Sequence, residues 1–354
     1  MLIKPEIQNF ARIKVIGVGG GGSNAVRNMM ETQNIQGVDF LVVNTDAQAL
    51  SASPAPIKVQ IGSELTGGLG AGGHAEIGRA AAEESADKLH EHLANTDMVF
   101  ITLGEGGGTG TGASPVVADI ARGEGALTIA VVTKPFEFEG ARRMMIAEEG
   151  IRELKDKVDA LITIPNQRLL EIVDTNSSLL EAFQQADAIL GRSVQGISDI
   201  IVIPGLINRD FADIKSIMQN AGSALMGIAS ATGEDRAKKA AQEAIDSPLL
   251  EASIQGAKGV LLNITASKNL KLSEVNEAAR LIADAADADA QIIFGTAINE
   301  ELGEELKITV IATGFNQTQQ QQKKLKEASE ELFKENNDDQ ENEGLEMPAF
   351  MRRK

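Results

Sequence analysis

The sequence contains no cysteine, tryptophan or tyrosine, and only 3% of its 354 residues are aromatic. Without cysteine, the chain can form neither disulfide bonds nor a catalytic thiolate. The scarcity of aromatic rings means that aliphatic residues must fill the cores, and it leaves few surfaces on which nucleic-acid bases could stack. The three histidines, at positions 74, 90 and 92, are scattered and do not form a set typical of a metal site.

Positive charge is also scarce, because 33 lysines and arginines oppose 51 aspartates and glutamates, for a net charge of −18. Affinity for a phosphate backbone comes chiefly from lysine and arginine, so we expect no nucleic-acid partner. The amino terminus lacks the apolar stretch of a signal peptide, and no run approaches the roughly 18 apolar residues of a membrane span. These features predict a cytoplasmic protein that does not insert into a membrane directly.

The first half of the chain alternates between strand-like and helical segments from Ile13 to about residue 165. This alternation predicts an α/β fold, with a Rossmann-type parallel sheet covered by helices on both faces. A long alanine-rich helix is predicted at about 76–93, with shorter helices near 115–121 and 141–156. Ligands of such sheets bind at the carboxyl ends of the strands, so we expect a site there.

The second half begins with a long segment of helical periodicity at 178–203, which predicts a central helix. It is followed by helices predicted near 211–228, 234–245 and 273–286 and by three strand-like runs. This part of the chain is predicted to form a smaller α+β domain at 204–315.

The composition changes again near the carboxyl terminus. Residues 316–344 include eight acidic and four basic residues with few large apolar ones, which is typical of a disordered linker. The chain then ends in "LEMPAFMRRK" at 345–354, where apolar residues stand beside three cations. We interpret this tail as a docking peptide, the alternative being a basic terminus without a partner.

A glycine-rich stretch, "GEGGGTGTGASP", places six glycines within the nine positions 104–112. It follows a strand-like run and precedes a helical one, for which Ser114 and Pro115 are predicted to be the N-cap and the first residue. Backbone N–H groups at such a helix start can bind phosphate oxygens, and Thr109 and Thr111 could add hydroxyl donors. The alternative is a tight chain reversal without a ligand. It is not a Walker A loop, because no Gly-Lys-Ser/Thr follows.

A second glycine motif, "GVGGGGSN" at 17–24, also lies between a strand and a helix. It satisfies G-x-G-x-x-G, and Asp46 follows the second strand, so the motif alone favours an NAD-dependent oxidoreductase. Two phosphate loops at neighbouring strand ends, however, fit a triphosphate better than a dinucleotide.

The segment "GGGTGTG" at 106–112 resembles the signature of the tubulin and FtsZ superfamily. Five further segments resemble the FtsZ family of bacterial cell-division GTPases in the same order: "VIGVGGGGSNAV", "NTDAQAL", "TKPFEFEGARRM", "AFQQADAIL" and "GLINRDFADI". The similarity runs from about Ile13 to Phe315 and resumes in the last ten residues. It implies a cytoplasmic GTPase that binds GTP or GDP with magnesium and polymerises head to tail into a division ring at midcell.

The resemblance also implies which residues bind the nucleotide. Three loops would surround the phosphates through Gly20, Gly21, Asn24, Ala71, Gly72, Gly73, Gly107, Gly108, Thr109, Gly110 and Thr111. Glu139 and Arg143 would reach the ribose and phosphates, although the residues alone favour an ordinary helix salt bridge.

For the base, the resemblance implies that Phe183 stacks on guanine and that Asp187, one turn later, accepts its imino and amino protons. Asn166 would add an amide. Taken alone, Phe183 would be interpreted as a core aromatic residue.

The segment "GLINRDFADI" holds the implied catalytic residues. Asp210 and Asp213 are explained by helix capping alone. The resemblance implies in addition that they act with Asn208 on the attacking water in the pocket of the next subunit. Arg209 stands where an apolar residue is expected.

The resemblance assigns the following division: an N-terminal extension (1–12), a GTP-binding domain (13–177), a central helix (178–203), a C-terminal α+β domain (204–315) with a catalytic loop (205–213), a linker (316–344), and a peptide (345–354) that binds an FtsA-like membrane adaptor and division regulators. Two alternatives remain open from the residues, namely an oxidoreductase and a scaffold that binds nucleotide without turnover.

Overall fold

The structure is a computed structural model that describes residues 11–33, 35–171, 178–202, 210–250 and 252–315. Its strands are β1 (Ile13–Val18), β2 (Asp39–Asn44), β3 (Ile57–Gln60), β4 (Met98–Gly104), β5 (Leu127–Lys134), β6 (Ala160–Pro165), β7 (Gly222–Ala231), β8 (Gly259–Ala266), β9 (Gln291–Ile298) and β10 (Leu306–Thr313). Its helices are α1 (Gly19–Glu31), α2 (Ala47–Ala52), α3 (Ser63–Thr66), α4 (Ala75–Glu84), α5 (Ala86–Leu93), α6 (Thr109–Gly123), α7 (Ala141–Lys157), α8 (Asn166–Leu169), α9 (Leu179–Val202), α10 (Phe211–Met218), α11 (Arg236–Ile245) and α12 (Leu272–Ala285). The predicted linker and tail, and residues 1–10, lie outside the described residues.

The strands form one sheet in the order β3-β2-β1-β4-β5-β6-β7-β10-β8-β9. The strands from β3 to β7 are parallel to one another, β10 is antiparallel to both of its neighbours, and β9 is parallel to β8. The predicted α/β class, with a mostly parallel sheet, is confirmed. Because all carboxyl ends of β1 to β6 meet at one edge, the loops that follow these strands lie close together there.

The parallel strands are apolar along their whole length because helices cover both of their faces. Alternate residues of β1 belong to different cores: Val15 packs with α1 and α9 on one face, and Ile16 packs with α4, α5 and α6 on the other. The two cores hold this half of the sheet rigid, so its carboxyl edge is a firm support for the loops.

The long helix predicted at 178–203 is α9, which spans 24 residues and is therefore about 36 Å long. It buries Ile189, Val194 and Ile197 in the first core. Gly196 lets it approach β10 closely, since a Cβ there would lie 2.7 Å from Thr309 Cγ2. No described helix is both long and apolar enough to cross a membrane.

Two helix predictions are wrong in their extent. The helix predicted at 76–93 is broken at Ser85, whose hydroxyl accepts the Gly62 N–H, so that α4 and α5 are separate. The helix predicted at 211–228 ends at Met218, because Asn220 and Gly222 adopt positive φ values of 54° and 71°. The chain turns there and continues as β7.

Candidate nucleotide-binding site

The two glycine motifs come together at the carboxyl edge of the sheet. Strands β1 and β4 are hydrogen-bonded neighbours, and α1 and α6 begin just beyond their ends. The loops touch, since a Cβ on Gly19 would lie 2.7 Å from the Gly110 nitrogen. The amino termini of two helices of 13 and 15 residues therefore converge on one point of the edge.

Helix α6 begins at Thr109, so the prediction that Ser114 and Pro115 start it is wrong. Pro115 lies inside the helix and Ser114 is fully buried. The helix begins early because its glycines allow close packing: a Cβ on Gly112 would lie 1.8 Å from the Ala75 carbonyl oxygen of α4. Consequently Thr109, Gly110 and Thr111 form the first turn, where N–H groups have no partner within the helix.

Open space remains beside the two glycine loops, and contacts within the protein do not explain it. Within the described part of the chain, no side chain caps α1 or α6. A Cβ on Gly20 or Gly107 would meet no described atom within 4 Å, and neither glycine has a positive φ. Neither chain reversal nor packing therefore demands glycine at these two positions. Open space beside unpaired N–H groups at two helix starts is suited to phosphate oxygens.

The two threonines of the motif are already engaged inside the protein. The Thr109 hydroxyl lies 2.7 Å from the Thr45 hydroxyl, and Thr111 Oγ1 accepts the Gly106 N–H at 2.9 Å. Their first role is thus to fix the shape of the loop, and their use as phosphate donors stays a prediction.

The third predicted loop, which contains Ala71, Gly72 and Gly73, packs directly on the phosphate loop. A Cβ on Gly108 would lie 3.0 Å from Ala71 Cβ and 3.1 Å from the Gly73 carbonyl carbon. Gly72 and Gly73 have φ values of 59° and 79°, a backbone conformation that favours glycine. The structure therefore brings all three predicted phosphate loops together.

A cavity of about 210 Å³ adjoins the two glycine loops. Most of the residues predicted to contact the nucleoside line it. Its walls are Gly21, Asn24, Gly104, Glu105, Thr133, Pro135, Glu139, Arg143, Asn166, Phe183, Ala186, Asp187 and Leu190.

The polar and aromatic groups expected to bind a base all line this cavity. Phe183 is 38% exposed and packs at right angles to Phe136 and Phe138, with ring centroids 5.4 Å and 6.4 Å apart, so part of its ring is accessible from the cavity that it lines. Asp187 lies one turn further along α9, and burial raises its pKa to about 7 although Arg27 opposes the shift. Asn166 is buried, and its Oδ1 has no hydrogen-bond partner among the described residues.

Glu139 and Arg143 form an ion pair of 2.9 Å at the wall of the same cavity. Glu139 also accepts the Phe136 N–H at 2.9 Å, which fixes its position. The helix salt bridge favoured by the residues alone is therefore present, and it lies where the resemblance placed a ribose and phosphate contact. The Glu139–Arg143 ion pair is therefore compatible both with a helix salt bridge and with a nucleotide contact.

The sequence did not single out several cavity residues. Thr133 lies near the carboxyl end of β5, and Pro135 directly follows this strand. Because ligands of such sheets bind at the carboxyl ends of the strands, this position could have indicated both residues. Glu105 lies inside the glycine-rich motif, where the sequence does not indicate a role for it, and the residue is only 1% exposed. Gly78 supports the phosphate loop from α4, because a Cβ there would lie 2.3 Å from the Gly108 carbonyl oxygen.

The predicted catalytic aspartates are not at this cavity. Asp210 caps α10 by accepting the Asp213 N–H at 2.9 Å, and Asn208 lies outside the described residues. Just after α10, Asn220 N–H donates to Asp159, which immediately precedes β6. The carboxyl end of α10 thus lies at the amino edge of β6, roughly 20 Å of strand from the carboxyl edge where the cavity lies.

A larger cavity of about 410 Å³ lies between α9 and β7. Leu169, Ile189 and Ile228 give it a mainly apolar wall, and it touches neither glycine loop. The smaller cavity adjoins the glycine loops, so it and these loops form the candidate nucleotide site.

Comparison with known proteins agrees with this geometry. Residues 12–174 match the model of the Tubulin/FtsZ family, GTPase domain, and residues 222–316 match that of the FtsZ family, C-terminal domain. A solved structure of an FtsZ dimer from M. jannaschii is 44% identical, with a TM-score of 0.83, over 87% of this chain and 90% of that chain. The chain belongs to the FtsZ family.

More distant structures share the fold of this FtsZ family member. CetZ2 from Haloferax volcanii, solved as a protofilament with bound GTPγS, matches with a TM-score of 0.73 at 21% identity, over 91% of this chain and 99% of that chain. At that identity the likeness shows the fold alone. Membership of the family places this chain among guanine-nucleotide GTPases of the tubulin type.

Proposed function

We propose that the protein binds GTP with magnesium, hydrolyses it to GDP and phosphate, and polymerises head to tail into the filament of a bacterial division ring. The observation that carries the proposal is the convergence of two uncapped, glycine-lined helix starts with a cavity that contains an aromatic ring and a carboxylate. The family assignment makes guanine the expected base.

The cavity residues have separate roles in this proposal. The N–H groups of α1, α6 and the loop at 71–73 bind the triphosphate, Phe183 stacks on guanine, and Asp187 accepts its two edge protons. In the described residues no group of three or more His, Asp or Glu side chains is arranged to hold a metal. Magnesium would then be held mainly by phosphates and water, as is common for this ion, and would neutralise phosphate charge.

The distance between α10 and the cavity supports the proposal of hydrolysis in trans. A single chain has its nucleotide cavity at the carboxyl edge of the sheet, and Asp210 does not line it. A second copy stacked head to tail would place its Asn208, Asp210 and Asp213 over the first copy's phosphates, where they orient or activate water. Leu69, Phe138 and Met145 are exposed on loops and helices beside the cavity, which suits a surface that another copy covers.

The carboxyl-terminal peptide completes the proposal. Residues 345–354 carry apolar side chains for a groove and three cations for acidic partners, and the 29 residues of the linker have a reach of about 30 Å. We propose that an FtsA-like adaptor binds this peptide and attaches the filament to the membrane at midcell, in the cytoplasm.

The shared site predicts that specific GTPase activity depends on protein concentration. Below the assembly threshold few cavities are completed by a neighbour, so the activity per molecule should rise at least tenfold as concentration crosses the threshold. Phosphate release and light scattering measured on the same samples check this. Equal specific activity at all concentrations would contradict hydrolysis in trans, and reduction of NAD with no GTP turnover would favour the oxidoreductase.

Guanine affinity is expected to fall in acid because of Asp187. Its pKa of about 7 means that protonation competes with guanine, which needs the carboxylate as an acceptor. As far as Asp187 alone is concerned, affinity for GDP should be close to its maximum at pH 8 and should weaken by up to about tenfold for each unit below pH 7. Titrating a fluorescent GDP analogue from pH 8 to 5.5 measures this. In Asp187→Asn binding should be weaker and independent of pH, and an acid-insensitive wild type would contradict the assignment.

A further inference from the structure

Glu105 is an acidic residue within the phosphate loop, in "GEGGGTGTG", whose carboxyl group is almost completely buried. The side chain is 1% exposed, and the backbone N–H donates to the Thr133 carbonyl at 2.9 Å. Neither carboxyl oxygen makes a well-formed hydrogen bond in the described part of the chain, and the Thr111 hydroxyl is the polar group that acts on it. A carboxyl group is costly to bury without partners, so its presence needs a reason.

The carboxyl group lies between the first turn of α6 and the middle of α7. A Cβ on Gly150 of α7 would lie 2.7 Å from Glu105 Oε2 and 2.3 Å from Thr111 Cγ2. The glycine therefore makes the room that the two side chains fill. Glycine inside a helix costs about 1 kcal/mol relative to alanine, so this space is maintained at a cost in stability.

The same contact reaches the nucleotide cavity. Thr111 Oγ1 accepts the Gly106 N–H at 2.9 Å, and Gly106 has a φ of 89°. A Cβ on Gly106 would lie 2.7 Å from Arg143 Cγ, so the loop and the cavity side of α7 are in close contact. A displacement of Thr111 would therefore move both the loop backbone and the wall that carries Arg143.

We propose that Glu105 is a positioning residue of the phosphate loop, whose neutral carboxyl group holds Thr111 and the loop against α7 in the form that binds nucleotide. This inference rests on the proposed function, because the loop is positioned for a guanine nucleotide. Glu105 does not touch the reacting atoms and acts through Thr111 and Gly106.

Protonation makes the role of Glu105 measurable. Burial raises the pKa of Glu105 to about 8, the Thr111 hydroxyl moderates the rise, and Glu153 adds to it. Other charged or titratable groups line the space beside Thr111 and Gly150 or the nucleotide cavity next to Glu105: His74, Glu76, Arg79, Glu83, Arg142, Glu149, Glu139, Arg143 and Asp187. Of these, Arg79 is paired with Glu153. Above about pH 8 the carboxyl group is mainly ionised in this packing, and a buried carboxylate with few hydrogen bonds favours separation of the loop from α7.

The test measures the affinity of the full chain for a fluorescent GDP analogue, in dilute protein, from pH 7.5 to 9. If only the neutral form of Glu105 permits tight binding, the wild type should lose affinity about eightfold over this range. Glu105→Gln keeps the shape and a hydrogen-bonding group without a charge, so its own affinity should change less than twofold between pH 7.5 and pH 9. Glu148→Gln, an exposed change on α7, is the matched control and should follow the wild type.

A further variant tests whether Glu105 positions the loop through a polar group or whether any uncharged side chain at this position is enough. Glu105→Leu should bind several-fold more weakly than Glu105→Gln at every pH, because it fills the space but offers Thr111 no polar partner. Guanine also loses its imino proton in alkali, which would weaken both proteins equally. A flat wild-type profile, equal profiles for wild type and Glu105→Gln, or a leucine variant equal to the glutamine variant would overturn the inference. Absence of guanine-nucleotide binding at pH 7.5 would instead overturn the proposed function.

Discussion

Replacing Asp210 with asparagine is expected to lower GTP turnover at least about 100-fold while GTP affinity stays within about twofold. The reason is that Asp210 does not line the cavity of its own chain. In the proposed mechanism it affects hydrolysis only as part of a neighbour's site, and binding in its own cavity does not involve it. Assembly with GTP should persist and last longer, because the nucleotide is consumed slowly.

Asparagine is chosen because it separates two roles of Asp210. The aspartate caps α10 through the Asp213 N–H, and asparagine caps about as well, whereas alanine costs about 0.5–2 kcal/mol. If catalysis needs the charge, Asp210→Asn loses turnover with α10 intact by circular dichroism. Turnover near the wild-type level in Asp210→Asn, with a loss only in Asp210→Ala, would show that capping is the whole role of this residue.

The strands of the first half could be predicted because each is a short apolar run between turn residues, and the parallel sheet buries them on both faces. Strand β7, "GSALMGIASA", could not, because its small residues have no period of two and favour no strand. A Cβ on Gly227 would lie 2.0 Å from the Ala244 carbonyl oxygen, so the residues of this strand are small because α11 packs on it. That reason lies in tertiary contacts, which the local sequence does not express.

The candidate site, too, could be predicted only where the local sequence determines it. The glycine loops could be predicted because their motifs are local and lie between a strand and a helix. The buried state of Glu105 could not, because it depends on Gly150 of a different helix making room for the carboxyl group. Similarly, the raised pKa of Asp187 follows from the burial that the closed cavity produces. The sequence was enough to propose which residues form the site. The protonation of Glu105 and Asp187 could not be predicted, because it depends on how the surrounding residues bury these carboxyl groups.

The strongest test of the glycine loops is Gly107→Ala, for which we expect unchanged folding and a loss of GTP affinity of about 100-fold. In the described structure a Cβ at this position meets nothing within 4 Å, and the backbone has no positive φ. The free energy of unfolding should therefore stay equal or rise slightly, since alanine reduces the entropy of the unfolded chain. A methyl group in a closely fitted phosphate site, in contrast, costs about 1–3 kcal/mol.

The matched control is Gly123→Ala at the end of α6, where a Cβ also meets no described atom within 4 Å but the cavity is distant. It should gain about 0.5–1 kcal/mol of stability from helix propensity and keep the wild-type affinity. Urea unfolding of the nucleotide-free proteins and titration with a fluorescent GTP analogue give both quantities for each variant. If Gly107→Ala binds GTP as tightly as Gly123→Ala does, the open space at residue 107 is not where the phosphates lie. The loop would then owe its glycines to the contacts of Gly106, Gly108 and Gly112, and the phosphates would have to be placed closer to the start of α1.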